Sequence, residues 1–320
     1  MKKTNLIVDG TNLAFMAYYK IDKFNSEDQH IGMVTGFFDR LCNILSFTKP
    51  NRVFVCWEGK DSREYRKKLL PEYKGHRTFR APYFLQDSGF SEKELKENQM
   101  WQLNEVKKVL EYTPIKNVAV EGLEADDCVA ILCEHYSDDK NIIASSDSDF
   151  YQLLKGGTVQ FNLRKNQLIS ESDVVELEGV SRVNYLLAKS ICGDSSDNIK
   201  GMHRVGFKSL AKRFPSFKAG VELELEDLLG ICEEKNKAKK VLKIYEQLPQ
   251  SVELIERNLQ VVSLQGVSEK RQEEYNKLLD IISDSGRLQL KRFTEYLARL
   301  EVDLSQYSNI NTQLYMIDRC

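Results

Sequence analysis

Nine carboxylates stand at points where the hydrophobic pattern of this 320-residue chain leaves a strand, enters a helix or makes a polar turn. They are Asp9, Glu58, Glu124, Asp126, Asp127, Asp147 and Asp149, then Asp194 and Asp197 in the turn Asp194-Ser-Ser-Asp-Asn-Ile-Lys-Gly201. Three of them crowd one helical turn after Glu121-Gly-Leu, and taken alone such a trio merely complements a helix dipole. A parallel sheet, however, would bring the first seven to one edge, where their mutual repulsion amounts to several kcal/mol at intermediate dielectric. Such a bowl is tolerable only around divalent cations. Oxygen ligands without histidine or cysteine favour Mg2+ over zinc or copper, with Mn2+ able to substitute. Two ions about 3.5–4 Å apart could activate water and stabilise a leaving oxygen.

The positive counterpart lies between Lys60 and Arg80, where eight basic residues meet three acidic ones. Arg63, Arg66, Lys67, Lys74, Arg77 and Arg80 are among them, in a stretch of some thirty residues between a strand and the next long helix. An excursion of that length in a compact domain is usually functional. Acid beside base suggests a phosphate substrate, with a Lys or Arg supplementing the charge on the transition state. Tyr65, Tyr73, Phe79 and Tyr83 could stack on unpaired bases or simply pack the excursion.

The elements that must position these groups alternate. Strands are predicted at 6–8, 52–57, 117–120 and 141–145, with a closing hairpin at 158–161 and 167–169. Helices are predicted at 13–19, 34–47 and from Ser91, whose Ser-Glu-Lys-Glu pattern is a capping box, to about Tyr112. An apolar helical run follows at 128–136, and a short helix at 150–154. Asp9, Glu58 and Asp147 thus sit just past strand ends, where open α/β sheets hold their ligands. Beyond about 180 the alternation stops. Helices are expected at 184–192, from Val205 to Phe214, and around 222–230, 233–247 and 251–257, then a strand at 259–264 and more helix to about Leu300. The two helices around the polar turn make a hairpin in which Gly206 could present backbone N–H groups to phosphates, with Lys208, Lys212 and Arg213 adding charge.

The bulk composition is ordinary, 42% hydrophobic and 29% charged with a net charge of −2, so local charge says more than the sum. No apolar run approaches the ~20 residues of a membrane span, and no signal segment is evident. Seven scattered cysteines without a C-x-x-C pattern point to reduced thiols and a cytoplasmic setting. Four histidines at no zinc spacing argue against zinc chemistry. Asp147-Ser-Asp149 lacks the downstream ligands of a calcium loop, and Gly201 to Gly206 has Phe207 where a P-loop needs lysine.

Five stretches in order resemble the 5′-nuclease (flap endonuclease) family, closest to its stand-alone bacteriophage members. They are Val8-Asp-Gly10, Pro71-Glu-Tyr-Lys-Gly-His-Arg77, Glu124-Ala-Asp-Asp127, Ser146-Asp-Ser-Asp149 and Gly193-Asp-Ser-Ser-Asp-Asn-Ile-Lys-Gly201, covering about residues 5 to 215. The resemblance implies an α/β fold with a mostly parallel central sheet flanked by helices, a helical arch and a C-terminal helix–three-turn–helix region. The expected division is a nuclease domain at 1–180, its arch at about 59–103, and a duplex-binding and helical region at 181–320. By position, Asp9, Glu124, Asp126 and Asp127 would serve a first metal group. Asp149, Asp194 and Asp197 would serve a second, with Asp147 between them. Lys74 and Arg77 would contact the scissile phosphate. K+ could bind backbone carbonyls near Gly201 to Val205, although His203-Arg204 replace the usual small or Pro-Gly residues. Glu58 stands where relatives commonly have Asp, one methylene longer.

The function expected is a Mg2+-dependent 5′ nuclease, both flap endonuclease and 5′-3′ exonuclease, that removes flaps or RNA primers in replication. Its partners would be branched or flapped DNA and RNA/DNA primer junctions. Replication proteins such as a single-strand-binding protein or a clamp could recruit a monomeric enzyme in the cytoplasm, that of a bacterial host if phage-encoded. A related metal-dependent endoribonuclease and an inactive junction-binding protein are the alternatives.

Overall fold

Asn5 to Asp9 are buried without a break, the pattern of a central parallel strand covered on both faces. The computed structural model describes residues 2–284, 286–305 and 309–318. Its strands are β1 (Thr4–Asp9), β2 (Arg52–Cys56), β3 (Lys116–Val118), β4 (Lys140–Ala144), β5 (Val159–Asn162) and β6 (Gln167–Ile169). They form one sheet in the order β3-β2-β1-β4-β5-β6. All pairs are parallel except β5 with β6, the expected hairpin.

The register fixes the functional edge. Asp9 lies opposite Cys56, Cys56 opposite Val118, and Val8 opposite Ala144. Three strands therefore end level, and Glu58, Glu124 and Asp147 follow within a few residues. Strand order reverses about β1, so this edge is the switch point where an open sheet parts into a crevice. Gly59 lets the crossing be tight, since a Cβ there would come within 1.7 Å of the Val120 carbonyl oxygen.

Alternate β1 residues face two cores. Leu6 and Val8 pack with α1 (Gly10–Lys20) and α2 (Gly32–Thr48), while Ile7 faces the opposite side. The excursion after β2 contains α3 (Glu64–Leu69) and one 3-10 turn at Tyr83–Leu85. It returns through α4 (Glu92–Leu110), whose Ser91–Glu94 capping box is formed. On the Ile7 side lie α5 (Ala125–His135), α6 (Val174–Glu178) and α7 (Tyr185–Cys192), then α8 (Phe207–Arg213), α9 (Leu225–Asn236), α10 (Lys243–Gln247), α11 (Val252–Val262), α12 (Val267–Lys270) and α13 (Gln272–Ser283). The last helices, α14 (Leu290–Arg299) and α15 (Ile310–Asp318), return to the α2 side through Phe293, Leu297 and Leu314. Residues after 181 thus complete both cores rather than forming one of their own.

Two expectations fail. The apolar run Leu259 to Leu264 is not a strand: it continues α11 to Val262. A short apolar run does not by its periodicity distinguish strand from buried helix. The helix expected at 233–247 breaks into α9 and α10, the lysine-rich residues 237–242 between them being non-helical. Six cysteines carry free thiols; Cys320 lies outside the described residues.

Candidate metal centre and nucleic-acid crevice

The carboxylates meet. Asp9 ends β1 and caps α1, accepting from the Asn12 N–H at 2.9 Å and from the Ser145 hydroxyl at 3.1 Å. With Glu58, Asp126, Asp147, Asp149 and Asp197 it lines a crevice of about 770 Å³. Two triplets each bring one oxygen per residue within 4.8 Å of one another: Glu124, Asp126 and Asp127, and Asp149, Asp194 and Asp197. The second has the same three members as the second group implied by the family resemblance, whereas the first lacks Asp9, which the resemblance placed with it.

The first triplet is built on the start of α5. Asp127 accepts from the Glu124 N–H at 3.0 Å, a capping box that fixes both side chains on one face and leaves Asp126 turned to the crevice. Beneath them is Arg66. It donates to Glu124 at 2.6 Å and to both oxygens of Asp127 at 2.8 and 3.0 Å, and its Nε caps the Val261 carbonyl at 3.0 Å. Arg66 is 4% exposed, so its reading as a nucleic-acid contact is corrected: the α5 carboxylates occupy its donors, and no phosphate reaches it. Asp127, buried and bound bidentately, faces Arg66 rather than the crevice.

The second triplet is assembled from separate pieces: the turn after β4 and the loop after α7. Asp149 and Asp194 share the ammonium of Lys189, which lies 2.8 Å from Asp194 and is 5% exposed. Gly193, at φ +74°, starts the loop, and Gly201 closes it so tightly that a Cβ would lie 2.1 Å from Cys192 backbone.

The excursion ties the two triplets together. Lys74 donates to Glu124 at 2.6 Å and lies 3.6 Å from Asp197; Arg77 reaches the other Asp197 oxygen at 2.5 Å. The Tyr73 hydroxyl bonds Glu124 at 3.0 Å and Asp197 at 3.2 Å. Tyr73 is 2% exposed, so of the four aromatics read as base platforms this one is a buried strut. Tyr83, at 85% exposed, is free to meet a base, and Tyr65, itself exposed, holds one ring face on Arg271 at 5.0 Å. Lys74 itself sits in the left-handed region at φ 52°, its N–H bonded to the Asp197 carbonyl at 2.9 Å. A lysine held there marks a geometry imposed by its surroundings.

Among the described residues nine carboxylates face five cations, Arg66, Lys74, Arg77, Lys189 and, at 4.0 Å from Asp127, Arg271, and the electrostatics show the imbalance. Burial pushes Asp9 up to about 7, helped by the charges of Asp147 and Asp126. Glu58 is likewise pushed up to about 7, by burial and then by Glu124 and Asp126. Asp126 is different: burial works against its charge, but Arg66 and Lys74 hold it below the usual carboxylate range. Burial also works against Lys74, yet Asp126, Glu124 and Asp197 outweigh it and keep the ammonium charged. An all-oxygen site with two carboxyls that resist ionising fits hard divalent ions.

Arg63 and Arg80 line the crevice mouth; Lys67 is exposed and lies near Glu64 instead, at 3.7 Å. Lys208, Lys212 and Arg213 are exposed on α8. The Gly206 N–H is corrected as a phosphate donor, since the Ser209 hydroxyl takes it at 3.0 Å. Sequence reasoning missed Lys189, Arg164 and the crevice wall formed by Phe15, Met16 and Tyr19. Lys189 had a signal: it is the single charge in the apolar helix Tyr185–Cys192. Arg164, in the β5–β6 turn, had none.

Residues 4–179 match the model of the 5′-3′ exonuclease N-terminal resolvase-like domain. A 5′-3′ exonuclease of Buchnera aphidicola subsp. Schizaphis graminum (strain Sg) is 26% identical over 224 residues, 68% of this chain and 72% of the relative. DNA polymerase I of Bacillus subtilis (strain 168) is 29% identical over 246 residues, 74% of this chain and 26% of the polymerase. Among solved structures, a bacteriophage T5 protein co-crystallised with metal ions superposes with a TM-score of 0.69 at 23% identity, over 88% of this chain and 99% of its own. A T5 flap endonuclease in a complex with DNA and metal ions gives 0.68 at 23% identity, over 88% and 98%.

Proposed function

The chain belongs to the 5′-3′ exonuclease family and hydrolyses phosphodiesters, and from that premise we propose that it is a Mg2+-dependent structure-specific 5′ nuclease. It acts near single-strand/duplex junctions in flapped DNA and RNA/DNA primer junctions. The observation that carries this reading is the pair of carboxylate triplets, which send Asp126, Asp149 and Asp197 into one crevice and are bridged by Lys74 and Tyr73.

In this reading Asp9, Glu58, Glu124 and Asp126 hold one divalent ion, and Asp149, Asp194 and Asp197 the second, with Asp147 between. Asp127 supports the first group through Arg66. When bound, the ions would polarise the scissile phosphate and lower the pKa of an attacking water. The chain supplies the rest. Lys74, kept charged by its carboxylate neighbours, is an electrostatic donor to phosphate oxygens and cannot act as a base. Arg77 adds a second donor beside it. Arg63, Arg80 and Arg164 give the strand a cationic entrance, and Phe15 and Tyr19 offer it an aromatic wall. The α7–α8 hairpin grips duplex phosphates without reading bases, through Lys208, Lys212 and Arg213. K+ at its turn and recruitment by replication proteins belong to the same proposal, as does a chain acting alone. Among the described residues no helix is long and apolar enough to cross a membrane.

A 5′-labelled flap duplex tests the reading. Cleavage at the junction should require Mg2+, and Lys74→Ala should lower turnover by roughly 10²-fold or more with a smaller change in affinity. Equal cleavage of unstructured RNA would favour the endoribonuclease alternative; inertness with every divalent ion would overturn the assignment.

A further inference from the structure

Residues 235–243, Lys-Asn-Lys-Ala-Lys-Lys-Val-Leu-Lys, hold five exposed lysines and no acid, in a chain whose net charge is −2. They form the end of α9, the non-helical link and the start of α10. The link is anchored to the duplex-binding hairpin proposed above. The Tyr245 hydroxyl bonds the Arg213 carbonyl at 3.0 Å, its ring packs edge-on against Phe214, and Asn236 bridges to the Tyr245 carbonyl at 3.1 Å. Lys237 lies 3.7 Å from Glu233, but among the described residues Lys235, Lys239, Lys240 and Lys243 have no carboxylate within ion-pair distance.

Tyr245 meets the last residue of α8, so the link joins the hairpin at that helix's C-terminal end. Seven helical residues span about 10 Å, so that joining point stands about 10 Å from the Gly206 turn where α8 starts. We propose that the α9–α10 link is a second phosphate-binding surface, which extends the grip on the duplex arm beyond the α7–α8 hairpin. Its ligand is the phosphodiester backbone of double-stranded nucleic acid, held by charge alone, and its effect is a preference for substrates with a long duplex arm. The inference rests on the hairpin reading, and its test separates the two.

Anisotropy titrations of the full chain in EDTA would use flap substrates with duplex arms of about one and about three helical turns. Each lysine that leaves a phosphate contact removes about 0.9 from the log–log salt slope. Lys239→Ala/Lys240→Ala/Lys243→Ala should therefore lower the slope by about 3 on the long arm and leave the short arm unchanged, while the triple arginine variant restores it. Lys208→Ala/Lys212→Ala should weaken both arms. An unchanged long-arm slope in the link variant, with the hairpin variant impaired, would overturn the inference and leave the hairpin reading intact. If neither variant changes binding, both fall; equal losses on both arms would overturn the distal placement.

Discussion

The two carboxylate triplets reach the same crevice by different physical routes. Glu124, Asp126 and Asp127 come from one helical turn, and a buried guanidinium plus a capping box hold them in place. Asp149, Asp194 and Asp197 come from two separate loops, and among the described residues the buried Lys189 ammonium joins Asp149 to Asp194. The first is a preformed socket whose internal cation belongs to the fold. The second is a gathering of loop ends whose internal cation occupies the space between carboxylates where a metal would act. The difference predicts that the first triplet fails by unfolding and the second by losing charge balance that an added ion can replace.

Arg66→Met gives the largest expected effect. It takes the bidentate partner from buried Asp127 and one of two close cations from buried Glu124, a loss of about 3–5 kcal/mol that Mg2+ should not recover. A melting point within a degree or two of wild type would show that the guanidinium is not the support assigned to it. Lys189→Met should cost less, about 1–3 kcal/mol, because its partners are less deeply buried and a bound cation can take over. Thermal melts with and without Mg2+ separate the cases: recovery in Lys189→Met and none in Arg66→Met is expected. Equal recovery in both would erase the distinction.

Acidity sharpens the comparison further. Asp9 and Glu58, each raised to about 7, keep protons that the unfolded chain would release above about 4. Their contribution to stability is full below that pH and is lost as pH rises through about 7. The metal-free protein should therefore lose melting temperature between pH 5 and 8 on their account, and saturating Mn2+ should offset more of the loss at pH 8 than at pH 6. A metal-induced increment independent of pH would mean that neither carboxyl meets the ion.

Much of this was legible in the sequence. Asp9, Glu58 and Asp147 follow apolar runs short enough to be parallel strands, and parallel register carries such residues to one edge. Partnership was not legible. Arg66 lies in a stretch whose other cations are mostly exposed, and only the packing of α3 on α11 turns it inward to the Val261 carbonyl. Tyr73 looked like its aromatic neighbours and differs by being under Lys74. Leu259 to Leu264 misled because six residues are too few to show a helical period, which emerges only with Ile255 and Asn258 on the buried side of α11.

Two divalent-ion sites of unequal build, as proposed, are what the roles assigned to these carboxylates depend on. Counting Mn2+ bound per chain by calorimetry in wild type, Asp126→Asn and Asp149→Asn tests them most directly. Two ions in wild type and one in each variant, with both variants still folded, is the predicted result. A single ion in wild type, or full occupancy in either variant, would contradict it.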